Sequence, residues 1–151
     1  MIVLCSSEDK ETRKYGCIAL GNAGFHDGKL YSQLKMAIPT LVALLKDPDE
    51  KTRSNAAAAL GNFARNSDEL DQDFVSSGAN YQLVNMIIND KSLSAKRVSI
   101  MAVINLLNLK ESSKLLKSLN LSSILNKYIP PNFTADPNLI KTAQKALDKL
   151  T

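Results

Sequence analysis

One histidine, two cysteines and a short run of carboxylates are the residues of this 151-residue chain whose types could do chemistry. A general base needs a nucleophile to serve and a neighbour to orient it. His26 stands alone in a stretch predicted to be an interhelical loop, so it reads as a solvated or capping residue. Cys5 and Cys17 match neither a disulfide framework nor a metal-ligand spacing, which points to a reducing compartment. Gly21, Gly24 and Gly28 are spaced wrongly for a phosphate-cradling loop. Asp68, Glu69, Asp71 and Asp73 lie close in sequence, but the glycine that gives a calcium loop its sharp turn is missing, and they read as a solvated acidic face. Neither Asp-Phe-Gly nor His-Arg-Asp occurs, so the signature set of a kinase is absent. The chain is expected to be non-catalytic, with no cofactor and no metal.

Composition narrows the class further. With 44% hydrophobic and 23% charged residues the chain has the balance of a globular protein and is too apolar for disorder. Residues 98–109 form its longest nearly apolar run, too short and too interrupted by Ser99, Asn105 and Asn108 to span a bilayer; no membrane partner is expected. The net charge of +4 is unevenly placed. Residues 1–109 carry 12 basic and 12 acidic side chains, whereas residues 110–151 carry seven lysines and three acids. Nucleic-acid binding would call for arginine and exposed aromatics beside those lysines, and this tail has no arginine. A solvated helical face is the reading, with no nucleic-acid partner.

The elements that must position these residues announce themselves by repetition. Residues 9–22 read D-K-E-T-R-K-Y-G-C-I-A-L-G-N and residues 49–62 read D-E-K-T-R-S-N-A-A-A-A-L-G-N, identical at seven of fourteen positions. A weaker copy sets Ala102-Val103-Ile104-Asn105-Leu106 against Ala59-Leu60-Gly61-Asn62-Phe63. Self-similarity at a period near 40 to 47, written in helical apolar spacing, marks an armadillo or HEAT solenoid. The expected fold is all-α: a right-handed α-solenoid of about three to four repeats forming a single domain, with a partial repeat at 1–26, repeats at 27–67 and 68–110, and a degenerate repeat or cap at 111–151.

Within the complete repeat, Leu30 and Leu34 follow a turn at Gly28, and Pro39 opens a second helix that buries Leu41, Leu44 and Leu45. Asp47 is expected as the next N-cap, with Pro48 at N1 and Glu50 reaching back from N3. The third helix then presents Ala56, Ala57, Leu60, Phe63 and Ala64 as one stripe. The next unit repeats the order, with Gly78 closing its first helix, Asp90 ending its second and 98–109 as its third. Pro130-Pro131-Asn132 lengthens the last interhelical loop. Gly21 and Gly61 sit inside third helices, where glycine costs ~1 kcal/mol relative to alanine; close approach of another backbone would explain them. Ile2, Val3 and Leu4 fall where a second helix should finish, so Met1 is expected at an artificial start inside a repeat, as in an excised fragment.

The pattern Ile38-Pro39-x-Leu41-Val42-x-Leu44-Leu45, followed by Asn55-Ala56-Ala57-x-Ala59-Leu60-Gly61-Asn62, resembles the armadillo consensus. The runs from His26 to Pro39 and from Lys51 to Ser67 are similar to the C-terminal armadillo region of Fused-type serine/threonine protein kinases. That resemblance implies a kinase domain elsewhere in the parent and a cytoplasmic scaffold role around kinesin-type motors, signalling scaffolds, the cytoskeleton or the cilium. It also implies that Asn22, Asn62 and Asn105 line a concave groove, where a side-chain amide suits the backbone of an extended peptide partner. Asn55 and Tyr15 lie two helical turns earlier on that face, and Arg65 about one turn later. The alternative is structural: the asparagines tie adjacent third helices together, and the segment caps a longer array or docks against its own chain. Four residues before each Asn, where importin-like carriers hold Trp, stand Ile18, Ala58 and Met101, which argues against nuclear-signal binding.

Overall fold

The computed structural model describes residues 1–25, 30–66, 68–129 and 136–151, and among these the regular structure is helical. A 3-10 turn at Ile2–Ser6 leads into α1 (Lys10–Phe25). Three triplets follow: α2 (Tyr31–Leu34), α3 (Ile38–Leu44) and α4 (Glu50–Asn66); α5 (Asp71–Ser76), α6 (Ala79–Asn89) and α7 (Leu93–Leu106); α8 (Lys110–Ser118), α9 (Leu121–Asn126) and α10 (Pro137–Asp148). The third helices α1, α4, α7 and α10 stack side by side as one layer, and α3, α6 and α9 pack against it. This is an all-α solenoid of the armadillo/HEAT kind. Its core is a seam running the length of the stack, with Leu20, Leu60, Phe63, Ile100, Leu106 and Leu116 fully buried. His26, Gly28 and Pro130-Pro131-Asn132 lie outside the described residues.

The repeated D-x-x-T-R motif has a mechanical explanation. Asp9 and Asp49 are N-caps: each carboxylate accepts from the backbone N–H and the hydroxyl of the threonine three residues on, at 2.7 Å for Thr12 and at 2.8 and 2.9 Å for Thr52. The arginine that follows then clamps the next repeat. Arg13 donates from Nε and Nη2 to Asp47 at the end of α3, at 2.6 and 3.1 Å. Arg53 does the same to Asp90 at the end of α6, at 2.7 and 3.0 Å. Their Nη1 groups take the carbonyls of Ser7 and Glu8, and of Asp47 and Pro48. In the third copy Lys96 replaces the arginine and reaches the carbonyls of Ile87 and Ile88 and the Tyr128 hydroxyl. A planar bidentate fork needs guanidinium; the ammonium gathers single acceptors instead.

Three local expectations change. Asp49, not Asp47, caps α4, because Asp47 is held by Arg13 and by the Asp49 N–H; Glu50 accepts from the Ser92 hydroxyl of the next repeat at 2.6 Å instead of reaching back. Helix α7 begins at Leu93, five residues before the apolar run, because Ser92 caps it by accepting from the Ala95 N–H at 3.2 Å. Asp71 is not part of a solvated acidic face. It is buried and caps the start of α8, accepting from the N–H groups of Glu111 and Ser112 at 2.6 and 2.9 Å and from the Ser112 hydroxyl at 2.6 Å. A period-based reading sees the acid's neighbours in sequence, while its partners lie 40 residues away. At the front edge Ile2 is half-buried, Leu4 is exposed and Val3 is 83% exposed, so this segment packs only in part.

Candidate functional site: the inner face of the third helices

Each Gly-Asn pair in the repeat is a two-part joint between neighbouring third helices. A Cβ placed on Gly21 would lie 3.3 Å from Cα of Ala59, and one on Gly61 would lie 3.0 Å from Cα of Ala102. Only a bare α-carbon allows this approach. Once the helices are that close, the next asparagine reaches back across the gap. Asn62 donates from Nδ2 to the Gly21 carbonyl at 3.0 Å, and Asn105 donates to the Gly61 carbonyl at 2.9 Å. Each amide keeps a second N–H and its Oδ1 without a partner among the described residues. Asn22, first in the series, is exposed and its side chain makes no hydrogen bond among the described residues. At the matching register, just past the end of α10, stands Lys149, which donates to Oδ1 of Asn108.

Beside this joint lies a groove of about 610 Å³. Asn62 and Arg65 of α4 form one wall, and Lys141, Thr142 and Lys145 of α10 form the other; Arg97, Met101, Ile104 and Asn105 of α7 lie between them. Helices α4 and α10 are separated by α7 in the stack, yet their side chains line one cavity, so this face is concave. A smaller extension of about 280 Å³ shares Asn62, Arg97, Met101 and Asn105 and continues past Ala58.

The structure therefore brings Asn62, Arg65 and Asn105 together. Tyr15, Asn22 and Asn55 lie outside the lining of this groove. Asn55 donates to the Lys51 carbonyl one turn back on its own helix at 2.8 Å. Tyr15 is 60% exposed, with the Lys14 ammonium 4.6 Å from its ring centre. Arg65 is exposed and rests its guanidinium 5.2 Å from the Phe25 ring centre. Sequence reasoning missed Arg97 altogether and read Lys141 and Lys145, with the other lysines of 110–151, as a solvated helical face. The signal was available: Arg97 follows Ser54 by one repeat and Lys141 follows Arg97 by another, so both occupy one register of the third helix.

Cys5 and Cys17 are buried free thiols, and burial beside Cys5 pushes Cys17 up to about 12, far from a nucleophilic thiolate at neutral pH. Among the described residues no cluster of His, Cys, Asp and Glu could hold a metal ion, and no helix is long and apolar enough to cross a membrane.

Comparison with known proteins places this geometry. Over 96 residues, 64% of the chain, it is 29% identical to serine/threonine-protein kinase 36 of Pongo abelii. Over 148 residues, 95% of the chain, it is 26% identical to serine/threonine-protein kinase 36 of Mus musculus. The chain spans only 7% and 11% of the lengths of those two proteins. A designed armadillo repeat protein superposes with a TM-score of 0.84 at 26% identity, covering 99% of this chain and 63% of the other. Another, solved in complex with the peptide (KR)4, gives 0.87 at 24% identity, covering 98% and 62%. This architecture is typically a non-catalytic one. The family model for HEAT repeats matches residues 1–80, more than half of a chain whose helices stack as that family's do, and the chain belongs to the HEAT-repeat family.

Proposed function

We propose that this chain is a protein-interaction scaffold whose concave face takes an extended segment of a partner protein. The observation that carries this reading is the groove in which α4 and α10 face each other across α7, lined by Asn62 and Asn105, each of which keeps one amide N–H and its Oδ1 without a partner among the described residues. Solved neighbours of the same shape support it: one designed armadillo protein holds a (KR)4 peptide and another was built for modular peptide recognition. The similarity to serine/threonine-protein kinase 36 supports a finer version, in which the chain is the C-terminal regulatory region of a Fused-like kinase in the cytoplasm. Its partners would then be sought among kinesin-type motors and signalling scaffolds at the cytoskeleton or cilium. A second reading, that of a structural cap or intramolecular dock, draws on the amide N–H that each of Asn62 and Asn105 gives to the preceding helix.

Plugging the groove separates the two. Ala58 is exposed on the inner face, so Ala58→Tyr adds bulk there without entering the core. Peptides selected on the wild type from a random display library should lose at least tenfold in affinity for Ala58→Tyr, with an unchanged circular dichroism spectrum and melting point. Failure to select any peptide, or equal binding by the folded variant, would leave the cap reading standing.

A further inference from the structure

Among the described residues the groove is lined by four cations, Arg65, Arg97, Lys141 and Lys145, and by no carboxylate. None of the four makes an ion pair among the described residues. The chain's other arginines and several of its lysines do find partners: Arg13 with Asp47, Arg53 with Asp90, Lys14 with Glu11, Lys114 with Glu111. Unpaired positive charge is thus gathered in the concavity, where protein on both sides weakens screening. Three helices contribute to it: Arg65 from α4, Arg97 from α7, Lys141 and Lys145 from α10.

We propose that the occupant of this groove is an extended acidic peptide, with its carboxylates on Arg97, Lys141, Lys145 and Arg65 and its backbone on the amides of Asn62 and Asn105. The proposal rests on the peptide-groove reading above and adds the chemistry of the partner. Packed helices lie about 8–10 Å apart, and an extended chain advances about 3.3 Å per residue. Cations at one register of successive helices therefore match acidic side chains roughly every third residue. Arg97 and Arg65 offer a planar fork that can hold a carboxylate through two hydrogen bonds. A basic ligand would meet like charge at every wall. Single-stranded nucleic acid has the right sign, but among the described residues the lining contains no aromatic ring on which bases could stack.

The test uses the whole chain and a fluorescein-labelled peptide with Glu at every third position among Ser and Gly, titrated by anisotropy at 50 and 150 mM salt. The wild type should bind it, more weakly at the higher salt, and should bind a labelled Lys-Arg octapeptide at least tenfold less well. Arg97→Glu with Lys141→Glu should lower affinity for the acidic peptide at least thirtyfold. The charge-matched control Lys110→Glu with Lys117→Glu, on exposed α8 lysines outside the groove, should lower it less than threefold. Equal loss in the two variants would reduce the effect to net charge and overturn the proposal. Tighter binding of an oligothymidylate at the same salt would overturn it in favour of nucleic acid. A wild-type dimer in sedimentation that dissolves in Arg97→Glu with Lys141→Glu would assign the groove to a second copy. Should display-selected neutral peptides bind in an Ala58-dependent way while the acidic one does not, the scaffold reading stands and the acidic partner falls.

Discussion

At the scale of single residues, the same side-chain types do two kinds of work according to what faces them. Arg53 and Arg97 are one repeat apart and only one residue out of register, yet Arg53 is locked onto Asp90 while Arg97 lines the groove with no ion-pair partner among the described residues. Asp90 shows what the lock does to a carboxylate. Burial pushes it up, but the Arg53 hydrogen bonds, the Ser92 N–H and the nearby positive charges outweigh that and hold it below its ordinary value. Asp49 is held low as well, by the backbone N–H of Thr52, against some desolvation, and then by the Thr52 hydroxyl. Groups depressed in the folded state stabilise it fully above their unfolded value of about 3.9, and that stability is lost as pH falls through the folded value. The melting point should therefore be flat from pH 7 to about 5 and drop below about pH 4. Asp90→Asn should be about 1–3 kcal/mol less stable at pH 7, and its deficit should shrink on acidification. A deficit that persists unchanged at pH 2.5 would mean that the clamp does not act through charge.

At the scale of elements, helix contact is set by which α-carbons are bare. Gly24 of α1 is the tightest case: a Cβ there would come within 2.1 and 2.4 Å of ring carbons of Phe63, itself completely buried in the α1–α4 contact. To clear it, the ring or the helix must shift within a packed core. Gly24→Ala should cost about 1–3 kcal/mol through overpacking, even though alanine is the better helix former. Phe63→Leu added to Gly24→Ala should cost less than the sum of the two single changes, because the leucine vacates part of the contested space. Urea melts of the four proteins decide it. Additive losses, or a Gly24→Ala as stable as the wild type, would show that α1 simply shifts outward. Gly78 differs in kind: its φ is +76° and no atom would meet its Cβ, so only backbone conformation keeps it glycine.

At the scale of the whole molecule, the main contacts among the described residues join neighbouring repeats, so stability should vary along the stack. Helix α4 is covered by α1 and α7, and α7 by α4 and α10, whereas the Ile2–Ser6 turn packs mainly on α1 and α3, with Val3 in solvent. Native-state hydrogen exchange should be slowest at Leu60, Phe63, Ile100 and Val103. It should be faster by orders of magnitude at Leu4–Ser6, with the last turn of α10 intermediate. Uniform protection from end to end would mean that the stack opens as one cooperative unit.

The sequence by itself determined the helices, their order and the stacking seam, because apolar period and in-helix glycines are local patterns that one copy of the repeat teaches the reader to find in the next. The Gly21 and Gly61 contacts were legible for the same reason, since a costly glycine at a fixed register has to be repaid by packing. Only the tertiary structure decided who partners whom between repeats. The bond from Asn62 to the Gly21 carbonyl, the Arg13 clamp on Asp47 and the Asp71 cap on α8 join residues 34 to 41 positions apart, a separation over which local pattern carries no register. The groove belongs to the same class. Its walls come from α4 and α10, and only the curvature accumulated across α7 turns Arg65, Arg97, Lys141 and Lys145 toward a common space.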